Sequence, residues 1–105
     1  MKLVKLIKLN NLQYNPNHDV QVYRRPVGKE FRLQVMLNGS GTAKASLETE
    51  GRTLCESKVS LPGTFDCKFS FDTPGVRIAS LSVEGNGESY HQDIRIDVEE
   101  HEWVG

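Results

Sequence analysis

Apolar residues recur at every second position over most of this chain, and that period constrains the fold more than any other feature of the sequence. A period of two places alternate side chains on opposite faces of a β-strand. The clearest cases are residues 30–37 and 64–71. The apolar faces of these two segments comprise Phe31, Leu33, Val35, Leu37, Phe65, Cys67, Phe69 and Phe71. No segment shows the 3.6-residue period of a helix over a useful length, so the chain is predicted to be all-β.

Eight segments carry this pattern or a weaker form of it, and they are separated by turn-forming pairs such as Asn-Gly, Glu-Gly and Pro-Gly. The predicted strands are residues 3–9, 19–24, 30–37, 42–48, 52–59, 64–71, 76–83 and 89–98. Short strands at this regular spacing are typical of a sandwich or a barrel. The predicted core comprises Phe31, Leu33, Val35, Leu37, Phe65, Phe69, Leu81, Val83, Ile94 and Ile96.

The length of 105 residues fits one domain, predicted to span residues 1–105 with a C-terminal tail at 99–105. Thirteen basic residues face fourteen acidic ones, and a formal net charge of −1 gives no electrostatic reason to bind nucleic acid or an anionic membrane. Near the N-terminus, Lys5 and Lys8 interrupt the apolar run that a secretion signal would need. We therefore expect no nucleic-acid or membrane partner and, if Met1 is the natural start, a cytoplasmic location.

The two cysteines, Cys55 and Cys67, are expected on neighbouring strands of one hairpin joined by residues 61–63. Reduced thiols are the favoured interpretation, with at least Cys67 in the core, because free cysteine is readily buried. A disulfide would require both side chains on one face and Cα atoms within about 7 Å. The short spacing of the pair does not match the long gap between the bonded cysteines of antibody domains.

The pattern of residues 70–98 predicts a turn, a half-buried strand, a glycine-rich loop and a second half-buried strand. Within them, Pro-Gly-Val-Arg-Ile-Ala-Ser-Leu-Ser-Val at 74–83, Gly-Asn-Gly at 85–87 and Ile-Arg-Ile-Asp-Val at 94–98 resemble the end of a polycystic-kidney-disease-type domain. They are also similar to filamin-type and other early-set immunoglobulin-like repeats. The resemblance implies a single antiparallel immunoglobulin-like β-sandwich of about 7–8 strands, with binding, adhesion or spacer roles.

Arg77 departs from the pattern of these families, which usually place a tyrosine two positions after the glycine. The alternation puts Arg77 on the same face as Ala79, Leu81 and Val83, where an arginine without a partner is costly. Two arrangements are open. Arg77 lies at the rim with its stem packed and its head in water, or it pairs with a carboxylate.

The sequence has no motif for catalysis, for a cofactor or for a metal ion. It contains neither a Gly-x-Ser-x-Gly elbow nor a glycine-rich phosphate loop. The three histidines lack the spacing of metal ligands, and His91 falls on the polar face of the last strand beside Asp93. We therefore predict no catalytic residue, no cofactor and no metal, and we expect that the protein is not an enzyme.

Two features are candidates for recognition. Tyr23, Arg24 and Arg25 combine an aromatic ring with two guanidinium groups, and these residue types are enriched at interface hot spots. Trp103 follows the last strand, where it either covers the open end of the core or serves as an exposed anchor. These four residues form the predicted interaction surface.

The leading hypothesis is a non-catalytic protein-interaction or structural module with an unidentified protein partner. Its contacts would come from loops at one end, from an exposed sheet edge by strand addition, or from the predicted interaction surface. The alternative is a carbohydrate-binding module, for which the candidate aromatics are Tyr14, Tyr23, Tyr90 and Trp103. A small enzyme is the third hypothesis.

Overall fold

The computed structural model describes residues 3–14, 24–85 and 87–100 of the chain. These residues form β-strands and no helix, which confirms the all-β prediction. The strands are β1 (Val4–Leu9), β2 (Leu12–Gln13), β3 (Arg25–Pro26), β4 (Phe31–Thr49), β5 (Arg52–Phe69), β6 (Gly75–Gly85) and β7 (Glu88–Glu99). In this described part of the chain, no helix is long and apolar enough to cross a membrane.

The strands form one curled, mixed sheet, a half-barrel, in the order β2-β1-β4-β6-β7-β3, with β5 paired to β4. Strands β3 and β7 run parallel, with Arg25 opposite Val98, so the prediction of a wholly antiparallel arrangement is wrong at this edge. The parallel pair is held by Arg24, whose guanidinium forms ion pairs with Asp97 and Glu99 of β7.

Four of the predicted strands are halves of two long ones. Strand β4 has 19 residues and takes in residues 30–37 and 42–48 almost completely. Strand β5 has 18 residues and joins residues 52–59 to most of 64–71. The two strands pair with each other from one end to the other, and a two-residue turn at Glu50 and Gly51 connects them. Both turn residues have positive φ, which is the conformation that tight hairpin turns require.

Both long strands bend where loops were expected. The register of β4 against β5 shifts between Leu37 and Gly41. In β5 the bend falls at residues 60–63, which include a cis peptide bond between Leu61 and Pro62. Gly63 is required there because a Cβ would collide with the carbonyl oxygen of Ser60. The β4–β5 hairpin is therefore folded in two, with its ends close together.

A disulfide joins Cys55 to Cys67 across this fold, with the two Cα atoms 5.9 Å apart. The expectation of reduced thiols on neighbouring strands is wrong, because both cysteines lie on the same strand, β5. Bending at residues 60–63 brings the two halves of β5 within the distance that a disulfide spans. Cys67 is buried, as expected.

All ten residues of the predicted core are buried in one hydrophobic cluster. The same cluster contains apolar residues from β1 and from the second half of β4, including Leu9, Ala45 and Leu47. The short strands β2 and β3 were not predicted. The predicted strand at residues 19–24 lies outside the described residues except for Arg24.

Arg77 is buried and pairs with a carboxylate, the second of the two arrangements left open by the sequence. Its side chain is 8 % exposed, and Nε lies 3.1 Å from the Glu50 carboxylate in an ion pair without hydrogen-bond geometry. Nη2 donates to the carbonyl and hydroxyl oxygens of Thr73, at 2.9 and 2.6 Å. The guanidinium carbon lies 4.3 Å from the centre of the Phe71 ring, a cation–π contact. Nη1 is buried and has no hydrogen-bond partner among the described residues.

Removal of the disulfide is expected to lower the free energy of unfolding by about 3 kcal/mol, because a closed loop of this length limits the unfolded chain. The variant Cys55→Ala/Cys67→Ala and the reduced wild-type protein should show similar losses in urea denaturation. The oxidised wild type should show no free thiol under denaturing conditions.

The double-alanine variant is also the control, since a reducing agent should leave its unfolding midpoint unchanged. An oxidised wild-type midpoint that does not move on reduction would contradict the stabilising role of the disulfide.

Candidate functional site

A cleft of about 290 Å³ lies between the β1–β2 hairpin and β7. It is lined by Val4, Lys5, Leu6, Ile7, Gln13, Tyr14, Tyr90 and Gln92. Two of the four aromatics predicted for a carbohydrate site, Tyr14 and Tyr90, therefore meet in one place. The other two, Tyr23 and Trp103, lie outside the described residues.

Contacts between distant parts of the chain fix the walls of this cleft. On one side, the backbone N–H of Leu3 donates to the Glu88 carboxylate at 3.1 Å. On the other, the Tyr14 hydroxyl accepts a hydrogen bond from the Arg95 backbone N–H at 3.5 Å. Asn10 closes the β1–β2 hairpin with a positive φ of 55°, a conformation that asparagine tolerates better than most residues. The hairpin is thus tied to β7 at two points that flank the cleft.

Tyr90 and Gln92 bring polar groups to the cleft from β7. The Tyr90 hydroxyl donates to Oε1 of Gln92 at 3.4 Å, and Nε2 of Gln92 donates to the Asp93 carbonyl at 3.0 Å. Burial raises the pKa of the Tyr90 hydroxyl above its ordinary value, because the phenolate loses hydration there. The cleft thus offers aromatic rings, amides and the cation of Lys5 to a polar ligand.

The sequence did not indicate Lys5, Gln13 or Gln92 as site residues. They come from three different strands, and no local motif marks them. The signal in the sequence was limited to Tyr14 and Tyr90, which are among the candidate aromatics of the carbohydrate-binding hypothesis. Their convergence depends on the register of the sheet.

The predicted interaction surface is described only at Arg24 and Arg25. Arg24 is engaged within the chain: its Nη2 lies 2.8 Å from Asp97 and its Nη1 lies 3.3 Å from Glu99. Hydrogen bonding to Asp97 raises the pKa of Arg24 further. Nη1 of Arg25 donates to the Arg24 carbonyl at 3.1 Å. Arg24 therefore fastens β3 to β7.

The second candidate surface is the edge of the sheet at β5. Among the described strands, β5 pairs with β4 alone, so one side of its backbone is free of a neighbouring strand over 18 residues. Unpaired N–H and C=O groups on an edge strand are a template for another strand. The side chains of Glu56, Ser57 and Lys58 are exposed along this edge.

A serine, a histidine and an aspartate line up on the outer face of β6 and β7. Nδ1 of His91 lies 3.5 Å from the Ser82 hydroxyl, and Nε2 lies 3.2 Å from the Asp93 carboxylate. The side chains of His91 and Asp93 are 62 % and 61 % exposed, which matches the predicted polar face. Electrostatic activation of a nucleophile needs a site sheltered from water, which this exposed array does not offer. Within residues 3–14, 24–85 and 87–100, no cluster of three or more His, Cys, Asp or Glu side chains could hold a metal ion.

Comparisons with known proteins do not assign the site to a class. No protein-family model matches the chain, and no curated protein matches it in sequence. The cleft and the open edge must therefore be interpreted from their own chemistry.

The raised pKa of Tyr90 predicts a loss of stability in alkaline solution. The folded state holds the phenolic proton more tightly than the unfolded state, so the contribution is complete below the unfolded pKa and is lost as the pH rises through the folded pKa. Tyr90→Phe should reduce the alkaline fall in the free energy of unfolding, measured by urea denaturation at a series of pH values. If the free energy of unfolding has the same slope against alkaline pH in Tyr90→Phe as in the wild type, burial does not raise the pKa of Tyr90.

Proposed function

We propose that this chain is a non-catalytic protein-interaction module of immunoglobulin-like architecture, which binds a partner by strand addition at β5. The observation that carries the proposal is the edge of β5, which is open among the strands that the structure describes. Strand addition gives affinity through backbone hydrogen bonds and specificity through alternate side chains. A long edge strand without a neighbour is otherwise a liability for aggregation.

The pairing of the strands supports the immunoglobulin-like sandwich. Strand β1 and residues 63–69 flank the first half of β4, which gives a layer of three. Residues 52–59 and β6 flank its second half, and β7 follows β6, which gives a layer of four. Two layers of three and four strands are typical of immunoglobulin-like sandwiches. The parallel β3 then lies at the edge of the larger layer.

The disulfide bears on where such a module would work. Structural disulfides persist in oxidising compartments and are rare in the cytosol. We therefore propose an oxidising compartment for the folded domain, on the strength of the bond between Cys55 and Cys67. This proposal is an alternative to the cytoplasmic location expected from the N-terminal segment, which stays an untested prediction.

A single added charge on β5 is expected to prevent strand addition at its open edge. Ser57 is exposed and lies in the middle of the first half of β5, so Ser57→Lys should leave the fold intact and repel an added strand. In cross-linking capture followed by identification, proteins bound by the wild type should be lost with Ser57→Lys. In the complex, amide hydrogen exchange should slow along residues 52–60.

Ser89→Lys is the matched control, because it makes the same change at an exposed position of β7. It should keep the captured proteins. Capture that survives Ser57→Lys, or exchange along β5 that is the same with and without the partner, would rule out strand addition at this edge.

A carbohydrate-binding module is the second candidate, and the cleft favours it. Sugar rings stack on aromatic faces and exchange hydrogen bonds with amides, and the cleft combines Tyr14 and Tyr90 with Gln13 and Gln92. These groups come from β2, from the residue that follows it and from β7, so the cleft forms only in the folded chain.

Binding to a glycan panel tests this candidate. Tyr90→Ala should abolish binding because it removes the ring. Tyr90→Phe should retain most of it because the ring is kept and one hydroxyl is lost. A panel that yields no bound glycan, or binding that is equal for Tyr90→Ala and wild type, would contradict the carbohydrate-binding hypothesis.

A further inference from the structure

We infer that the partner of the β5 edge is a second copy of this chain, paired antiparallel about a two-fold axis at Ser57. The inference rests on the proposed strand addition at β5 and names its occupant. A two-fold contact uses the same surface of both copies, so each residue meets its counterpart twice. The segment must therefore be complementary to itself.

The charges around Ser57 meet this condition. If Ser57 faces Ser57, then Glu56 of one copy faces Lys58 of the other, and the pair occurs twice. Glu56 and Lys58 are exposed on the outer face of β5. Opposite charges directly across a strand pair stabilise it, and like charges destabilise it. On the inner face the same register places Cys55 opposite Val59, which are both half-buried.

Neighbouring registers are unfavourable. An axis at Glu56 would place two carboxylates face to face, and an axis at Lys58 would place two ammonium groups face to face. An axis between two residues would bring side chains of opposite faces together, because the period of a strand is two. Charge therefore selects Ser57 among the central positions of this segment.

The charges around Lys58 within its own chain also favour contact with a carboxylate of the partner. Within the chain it lies directly across from Lys44 of β4, a like charge. No ion pair of Lys58 is found in the part of the chain that the structure describes. The Glu56 carboxylate also forms an ion pair with Lys44 of its own chain, at 3.4 Å. The Lys44 side chain in this pair is more than half exposed. The partner's Glu56 would compensate the repulsion between Lys44 and Lys58.

The segment is also bounded on both sides. Leu54 is an extra residue at a shift in register, since Leu47 pairs with Cys55 and Glu48 pairs with Thr53. Pro62 at the bend cannot donate a backbone hydrogen bond. Between these two positions, residues 55–61 pair with residues 41–47 of β4 without a shift in register. With the axis at Ser57, residues 55–59 of one copy would pair with residues 59–55 of the other, which is one short strand from each.

The second half of β5 is a weaker candidate. Its carboxylate, Asp66, is already held by Arg32 through two hydrogen bonds of 3.2 and 2.8 Å. This contact lowers the pKa of Asp66 below its ordinary value. Its inner side chains, Phe65 and Phe69, are buried within one copy and leave little apolar surface for another.

Charge reversal provides the test, read by sedimentation equilibrium and native mass spectrometry of the full chain. Wild type should dimerise, and Glu56→Lys or Lys58→Glu alone should weaken the dimer about tenfold or more, since each change creates two like-charge contacts. The double variant Glu56→Lys/Lys58→Glu should restore it. A mixture of the two single variants should form the heterodimer, because each then supplies the charge that the other lacks.

Lys68→Glu is the matched control, with the same reversal in the second half of β5, and it should dimerise like wild type. A wild type that is monomeric at all concentrations, or a dimer unaffected by either single reversal, would overturn the inference. Partner capture lost with Ser57→Lys would still support strand addition in that case, so failure of the dimer and failure of the proposed function are told apart. Weakening by Lys68→Glu alone would move the contact to the second half and overturn the axis at Ser57.

Discussion

The folding in two of the β4–β5 hairpin is the constraint on which the rest of the structure depends. A flat ribbon of this length would expose the apolar face of both halves to water. Bending at residues 38–41 and 60–63 turns the two halves toward a shared hydrophobic cluster, to which β1, β6 and β7 add their buried faces. The disulfide between Cys55 and Cys67 then limits how far the two halves can separate.

The same fold decides which surfaces stay available. Because β5 pairs with both halves of β4, β1 and β6 must share the other side of that strand. The side of the molecule at β5 therefore presents backbone, and the side at β1, β2 and β7 presents the cleft. The two proposed kinds of recognition use these two sides, so one ligand does not compete with the other for the same atoms.

The alternation of apolar and polar residues was sufficient to predict the all-β class and the core. It did not show that two pairs of predicted strands each form one continuous strand. Phe31, Leu81 and Ile94 are buried because alternation alone decides which face of a strand is apolar. The bends at 38–41 and 60–63 carry ordinary turn residues, and whether such residues end a strand or bend it depends on pairing with a distant partner. The disulfide could not be predicted for the same reason, since it depends on the bend within β5. The cleft depends on the packing of segments that are far apart in sequence.

Burial of Arg77 makes the turn at Glu50 and Gly51 unsuitable as a position for grafting foreign loops. Tight β-hairpin turns usually tolerate insertion because their side chains serve only the turn itself. Here the turn supplies the carboxylate that faces a guanidinium at the end of the core. An inserted segment would displace Glu50 and leave a cation in an apolar setting without its counterion. Engineering of this scaffold should therefore extend the chain elsewhere and treat this short turn as part of the core.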